Sequence, residues 1–451
     1  MRKNAAFLVF AAMVIITAIP VWAGGGKELK GMDIVIGNFY SDYDVNTFKP
    51  ITDSEEKLLA QRRKLLEENN FTMREKAITD WSGMMQLAAI STMSGKPAAH
   101  VFVVQSNWAI ALKAQDLIAP LSNSKTVNFK KPEPVAKGLL PVPWNQSTID
   151  SFTYNGQTYA FSVGKNISNA QVVYFNKRLF REVGLDPNLP YDMQKNGTWT
   201  WDNFIDICKK LTRDIDNDGI IDTYAMTRDV STEMLDAIVS SNGATYVDRD
   251  LKTGKFFNAS NSPAFLEALQ FAIRLNTEGV LKPRPDGTNW DWYKSEFIDG
   301  KVAMRIDESY VGGTELQQMK DDWGMVMFPK GPKSSTYRVF TRDNVMVIPA
   351  TYKPDEIDKI LWAVALWYTP VDDDWKSGQY NLFRDSRAVD ETLELIRDEK
   401  LHMIKYYSYI LGLERGDIAW TMWYHEGDPA QLVEMVSQPW NDLINQANNM
   451  K

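Results

Sequence analysis

The densest run of chemistry-bearing side chains is Asp214-Ile215-Asp216-Asn217-Asp218-Gly219-Ile220-Ile221-Asp222. Carboxylates at loop positions 1, 3, 5 and 9, with glycine at 6, follow the spacing by which a calcium loop brings hard oxygen donors onto one cation. Asp214, Asp216, Asp218 and Asp222 would supply side-chain oxygens and Ile220 its backbone carbonyl. Ala225 stands at position 12, where such a loop carries a bidentate glutamate, so a complete shell needs water or a carboxylate from elsewhere. The plain alternative is a solvated acidic turn with Asp-Gly chemistry. An ion here would be structural calcium, and no other cofactor is required.

Spacings that signal catalysis are missing. There is no Gly-x-Ser-x-Gly elbow, no phosphate-cradling P-loop and no zinc-binding His-Glu-x-x-His. His100, His402 and His425 are the only histidines and stand far apart; His425 beside Glu426 reads as a surface pair. Acids are plentiful enough that a paired-carboxylate glycosidase is compatible with composition alone. The expectation is nevertheless a protein that binds without turning over.

The opening segment bears on compartment. Arg2 and Lys3 precede an apolar run from Ala5 to Ile19, then Pro20 and Val21-Trp22-Ala23. A positive start, an apolar core shorter than the ~20 residues of a membrane span and small residues before a break describe a secretory signal peptide over residues 1–23. No cysteine follows Ala23, so a lipid-anchored N-terminus is not expected. Cleavage removes two cations and no acid, taking the net charge from −8 to −10. With no basic run, nucleic acid is an unsuitable partner. Cys208 is the only cysteine, so the exported chain must hold together by core packing rather than disulfides. Its helical setting, Phe204 to Cys208, predicts a buried, inert thiol.

The remainder of the 451 residues is too long for one core and predicts two domains. Met32–Gly37 reads as a first strand, Asp53–Asn69 as a helix with acids in its first turn, and Trp81–Met93 as a second helix. The continuous apolar run His100–Val104 has the character of a buried parallel strand, and helix-length segments between such strands argue for an α/β sheet. Asn155-Gly156 marks a hairpin over 153–160. Strands follow at 171–175, 302–306, 323–328 and 345–348, with helices near 201–212, 231–241 and 262–278.

Several segments in order resemble extracellular solute-binding protein family 1, the sugar-receptor family that includes maltose-binding protein. They are Asn155–Ala160, Val173–Phe180, Val183–Leu185, Thr198–Phe204, Leu211–Gly219, Phe297–Met304 and Met327–Pro332. The resemblance implies two α/β lobes of the type II periplasmic-binding-protein kind around a central cleft, joined by a hinge. Lobe one is expected over 30–145 plus 336–375, and lobe two over 146–335 plus 376–451. It further implies a monomeric, extracytoplasmic or periplasmic receptor of an ABC importer. Such a receptor takes a carbohydrate, an oligosaccharide or glycoside, and delivers it to the membrane permease. A non-sugar solute and a secreted carbohydrate-active enzyme are the alternatives.

Sugars offer hydroxyls at the ring edge and weakly apolar C–H faces, so a receptor needs aromatic platforms beside fixed polar groups. Open α/β sheets bind ligands beyond the C-terminal ends of their strands. That places Tyr40 after the first strand, with Asn38 and Asp42 nearby, and Ser106, Asn107 and Trp108 after Val104. The resemblance implies ligand contacts at these last three, at Asn169 from the second lobe, at Tyr310 as a stacking residue, and at Trp420 and Trp423 in a late segment. Trp81, at helical spacing, is expected in the core, and the aromatic run Trp290–Tyr293 reads equally as packing under a loop.

Overall fold

A computed structural model describes residues 29–131, 133–165, 169–228, 232–250, 252–341, 344–372, 374–425 and 427–449, and of 423–425 the backbone only. The expected signal peptide lies outside the described residues. The first lobe is built from β1 (Asp33–Asn38), α1 (Asp53–Asn69), β2 (Thr72–Ala77), α2 (Trp81–Met93), β3 (Val101–Gln105) and α3 (Ser106–Ala114). A returning strand, Asn344–Val347, completes a sheet in the order Asn344–Val347, β3, β1, β2. β1 runs parallel to β2 and β3, and only the returning strand is antiparallel.

Alternate residues of these strands feed opposite cores, as the two-residue period of a strand requires. Val101 and Val103 join Ile34 and Ile36 under α1 and the helix Pro354–Trp367, whereas Phe102 and Val104 pack under α2 and α3. Both faces are covered, which is why β3 reads as an unbroken apolar run. β2 is not evident from sequence. Its residues, Thr-Met-Arg-Glu-Lys-Ala, bury little because the strand lies at the sheet edge, where charge is tolerated and deters further pairing.

Helix starts are set by short polar side chains. Thr52 caps α1 by accepting from Glu55 N–H at 3.1 Å, and Asp80 caps α2 by accepting from Gly83 N–H at 2.9 Å. Gly37 allows a close approach. A Cβ there would lie 2.4 Å from Ile78 Cδ1 and 2.8 Å from Ala99 Cβ, so a bare backbone lets the β2–α2 connection lie against β1.

The second lobe centres on β4 (Gln171–Asn176), followed by α4 (Thr232–Ser241), α5 (Pro263–Thr277), β5 (Met304–Glu308) and β6 (Trp323–Met327). Its sheet order is β5, β4, β6, and both flanking strands run antiparallel to β4. The helix–strand alternation predicts a sheet but not this direction, since an apolar run carries no sense of direction. Two C-terminal helices, α6 (Gly416–His425) and α7 (Pro429–Asn449), join α5 in the outer layer. Cys208 is fully buried in this core and burial pushes its thiol well up. Ile149, Phe152, Ala160 and Phe161 pack with the first sheet, whereas Val339 and Phe340 pack with the second. Between the lobes Val339–Thr341 and His402–Ile404 run side by side as a parallel pair. Among the described residues no helix is long and apolar enough to cross a membrane.

The histidines with described side chains have structural settings. His402 turns its Nε2 to the Ile396 carbonyl. His100 Nδ1 accepts from Val35 N–H at 3.2 Å, and its ring stacks on Tyr352 with centroids 5.7 Å apart. Burial, and secondarily Arg74, holds this imidazole below its ordinary value, with Asp33 opposing. A depressed folded-state pKa gives stability that is present above the free imidazole value of about 6.5 and is lost as pH falls through and below it. The denaturation midpoint should therefore drop between about pH 7 and pH 5 more steeply in the wild type than in His100→Asn. Parallel profiles would remove His100 as the source.

Candidate ligand-binding cleft

Three successive strand ends bring aromatic side chains to one edge of the first sheet. Tyr40 follows β1, Trp81 opens α2 after β2, and Trp108 lies in the first turn of α3 after β3. The Trp81 and Trp108 rings are 5.4 Å apart at 51°. Phe39 supports the group edge-on, 6.0 Å from Trp108 and 5.3 Å from Tyr40. Tyr40 is 56% exposed and Trp81 54% exposed, while Trp108 is half-buried.

Trp81 thus corrects its expected core placement. Met84, Ala88 and Thr92 form the buried row of α2, but Trp81 opens the helix just after β2 ends at Ala77 and stands exposed. Periodicity alone does not register where a helix starts relative to its strand.

The loops that carry these rings are held by hydrogen bonds. Asn38, fully buried, accepts at Oδ1 from the Tyr40 and Ser41 N–H groups at 2.9 and 3.0 Å and donates from Nδ2 to the Ser41 carbonyl at 2.8 Å. Asp42 accepts from Ala77 N–H at 2.7 Å, tying the β1 loop to the end of β2. The Ser82 hydroxyl, then Gly83 N–H, holds the Asp80 carboxyl below the usual carboxylate range beside Trp81. Asn107 is exposed at the same edge, whereas Ser106 is buried and turns elsewhere.

The second lobe presents Asn169 and Tyr310 together. Ser309 N–H donates to the Ala170 carbonyl at 2.9 Å, which brings the start of β4 beside the end of β5. Tyr310, 44% exposed, stands on a tight turn, Ser309–Gly313. The buried Tyr174 hydroxyl fixes that turn, accepting from Gly312 N–H at 2.9 Å and donating to the Glu308 and Ser309 carbonyls at 3.1 and 3.0 Å. On β5 the buried Arg305 joins Asp307 and Glu315. Burial raises the Asp307 carboxyl despite that guanidinium.

Where the lobes meet, Ser106, Ser147, Thr148, Thr341, Ile404, Lys405, Ser408 and Tyr409 enclose a cavity of about 20 Å³, room for roughly one water. Tyr409 reaches the first lobe, its ring 5.2 Å from Phe152. The segment is anchored behind by Asp236 of α4, fully buried, which accepts from Lys405 Nζ at 2.9 Å, from the Tyr407 hydroxyl at 2.8 Å and from Arg415. Burial pushes the Asp236 carboxyl up, but Arg415 and Lys405 outweigh it and hold it below its ordinary range. Sequence reasoning misses this trio because Asp236 is separated by about 170 residues from its partners and sits in a helix without a motif.

Trp420 is 54% exposed on α6, a helix packed against α4, α5 and α7. The side chain of Trp423 lies outside the described residues. Trp290 is 72% exposed.

In the acidic loop, oxygens of Asp214, Asp216 and Asp218 lie within 4.8 Å of one another. Asn217 and Gly219, at φ of 61° and 88°, take the left-handed turns that fold the loop inward. Asp222 accepts from Ile215 N–H at 2.6 Å, closing the loop, and Ala225 is buried with its N–H on Thr212 Oγ1 at 3.1 Å. The convergent donor set is thus three carboxylates, and position 12 offers only a methyl group.

The model of the bacterial extracellular solute-binding proteins matches residues 77–370. The cyclic alpha-maltosyl-1,6-maltose binding protein of Arthrobacter globiformis is similar in fold at 13% identity, covering 92% of this chain and 100% of its own, with a TM-score of 0.63. UgpB of Mycobacterium tuberculosis, solved with glycerophosphocholine, is similar at 15% identity and TM-score 0.61, covering 91% and 98%. An ABC substrate-binding protein of Listeria monocytogenes, solved with cycloalternan, is similar at 16% identity and TM-score 0.59, covering 94% and 100%. No curated protein matches in sequence. Two lobes, a paired crossing and aromatic strand ends agree with a family match over well over half the chain: it belongs to the bacterial extracellular solute-binding proteins.

Proposed function

We propose that this protein is an exported receptor, without catalytic activity, that binds a carbohydrate between its lobes and hands it to the permease of an ABC importer. The observation that carries this reading is the placement of Tyr40, Trp81 and Trp108 at three neighbouring strand ends; Asn107, Asn169 and Tyr310 are proposed as further contacts. Lobe one would comprise the first sheet with residues 146–165 added, and lobe two the antiparallel sheet with the C-terminal helices. Ligand favours the closed arrangement because only there do both lobes touch it. The receptor would work as a monomer, released by cleavage after Ala23.

Tryptophan fluorescence titration across a sugar panel, with small-angle scattering, tests this. Saturable quenching with compaction is expected; no response to any sugar defeats the carbohydrate reading, and turnover of a bound sugar favours an enzyme. A second reading, a cationic non-sugar solute, is favoured by Asp42 and Asp80 beside the rings, since aromatic faces and carboxylates attract alkylammonium groups. Choline in the same titration separates the two.

The acidic loop is proposed to hold a structural calcium through Asp214, Asp216 and Asp218, with Asp222 and the Ile220 carbonyl as further candidates. Chelator should then lower the unfolding temperature of the second lobe in scanning calorimetry, leaving ligand affinity intact. An unchanged unfolding temperature would sink the idea.

A further inference from the structure

Two tryptophans share the open edge of the first lobe, and their geometry bears on how long the ligand is. Trp108 is the inner ring, half-buried, braced by Phe39. Trp81 is the outer ring, more than half exposed, on the first turn of a helix whose start is pinned by the Asp80 cap. The rings are tilted 51° to one another with centroids 5.4 Å apart. A single pyranose presents one mean plane on each side and can lie flat on one of these faces, not on both. Two rings joined by a glycosidic bond change plane from unit to unit, which is what a tilted pair accommodates. The supporting strands β3, β1 and β2 are neighbours about 4.8 Å apart, and the two indoles converge from the outer pair to a centroid separation of 5.4 Å.

Charge narrows the class further. The segments Phe39–Asp42, Asp80–Ser82 and Ser106–Trp108 contain no Lys or Arg. They do contain Asp42 and Asp80, and the second carboxyl is held below its usual range by Ser82. Carboxylates in these loops disfavour an anionic sugar acid or sugar phosphate, whereas neutral hydroxyls can donate to them.

Resting on the carbohydrate reading above, we propose that Trp81 is the stacking residue of a second, outer subsite, so that the ligand is a neutral glycan of at least two ring units. Trp108 carries the inner ring and Trp81 adds affinity chiefly when a second ring is present.

The test titrates wild type, Trp81→Ala, Trp81→Phe and Trp108→Ala with mannose, mannobiose and mannotriose, and with glucose, maltose and maltotriose. In at least one series the wild type should prefer the disaccharide over the monosaccharide by tenfold or more. Trp81→Ala should reduce that preference at least fivefold, weakening disaccharide more than monosaccharide, Trp81→Phe should restore most of it, and Trp108→Ala should weaken both lengths alike. Circular dichroism checks that the exposed Trp81 can be removed without loss of fold. If Trp81→Ala weakens both lengths equally, or neither, the outer subsite is overturned while the carbohydrate reading stands. If the wild type binds choline and none of these saccharides, both are overturned.

Discussion

Asp236→Ala is expected to destabilise the second lobe by about 3–5 kcal/mol, because it leaves two buried cations facing each other without their shared anion. Lys405 and Arg415 converge on Asp236 Oδ2, with the Tyr407 hydroxyl as a third donor. Asp236 and the Lys405 side chain are shielded almost completely from water, so solvent cannot take over the lost charge. Asp236→Asn should be milder, since an amide oxygen still accepts a hydrogen bond, yet it removes the charge that offsets the pair. Acid should act like the mutation. The folded-state carboxyl titrates below its ordinary value, so its contribution is present above about pH 4 and is lost as pH falls through the lower, folded value. Guanidinium unfolding followed by fluorescence measures both. A loss below about 1 kcal/mol for the alanine variant would show the trio to be replaceable by rearrangement.

The second large effect is on affinity. Trp108→Ala and Tyr310→Ala should each weaken ligand binding by about 1 kcal/mol or more, the scale of an aromatic stacking contact with its buried area. Their signatures should differ. On the proposed reading Trp108, which belongs to the first lobe, would touch ligand whether the cleft is open or closed. Tyr310, on the turn fixed by Tyr174, would touch it only after closure. Trp108→Ala should therefore reduce affinity while scattering at saturation still reports compaction, whereas Tyr310→Ala should also lower the closed fraction at saturation and raise the dissociation rate. Unchanged affinity in either variant rejects that residue as a contact.

Much of the fold is legible from local signals. Asp53–Asn69 and Trp81–Met93 are readable because a polar cap precedes each, and Asn155-Gly156 because only such a pair takes two positive φ angles cheaply. Strands β3 and β4 stand out as apolar runs because both faces are covered. What escaped is information that no local window holds. β2 carries the polar composition of an edge, and the direction of β5 and β6 depends on which side the chain returns from. At the cleft, position after a strand end places Tyr40, Asn107 and Trp108 at the sheet edge, where the structure also has them. The same rule would have found Trp81 had β2 been visible. Ser106 occupies the right position but turns inward to the cavity at the crossing, and Tyr406–Tyr409, which reaches the first lobe, has no motif to announce it.

The crossing itself has a mechanical consequence. Val339–Thr341 and His402–Ile404 are hydrogen-bonded along their length, Val339 opposite His402 and Thr341 opposite Ile404. A bonded ribbon bends as one sheet but resists sliding or splaying, since either would break its ladder. Sliding of these two crossings past one another is thereby disfavoured relative to a flexing of the pair. On the proposed receptor reading, closure around ligand would bend the two crossings together, and the loaded molecule would meet its membrane partner with a different outline from the empty one.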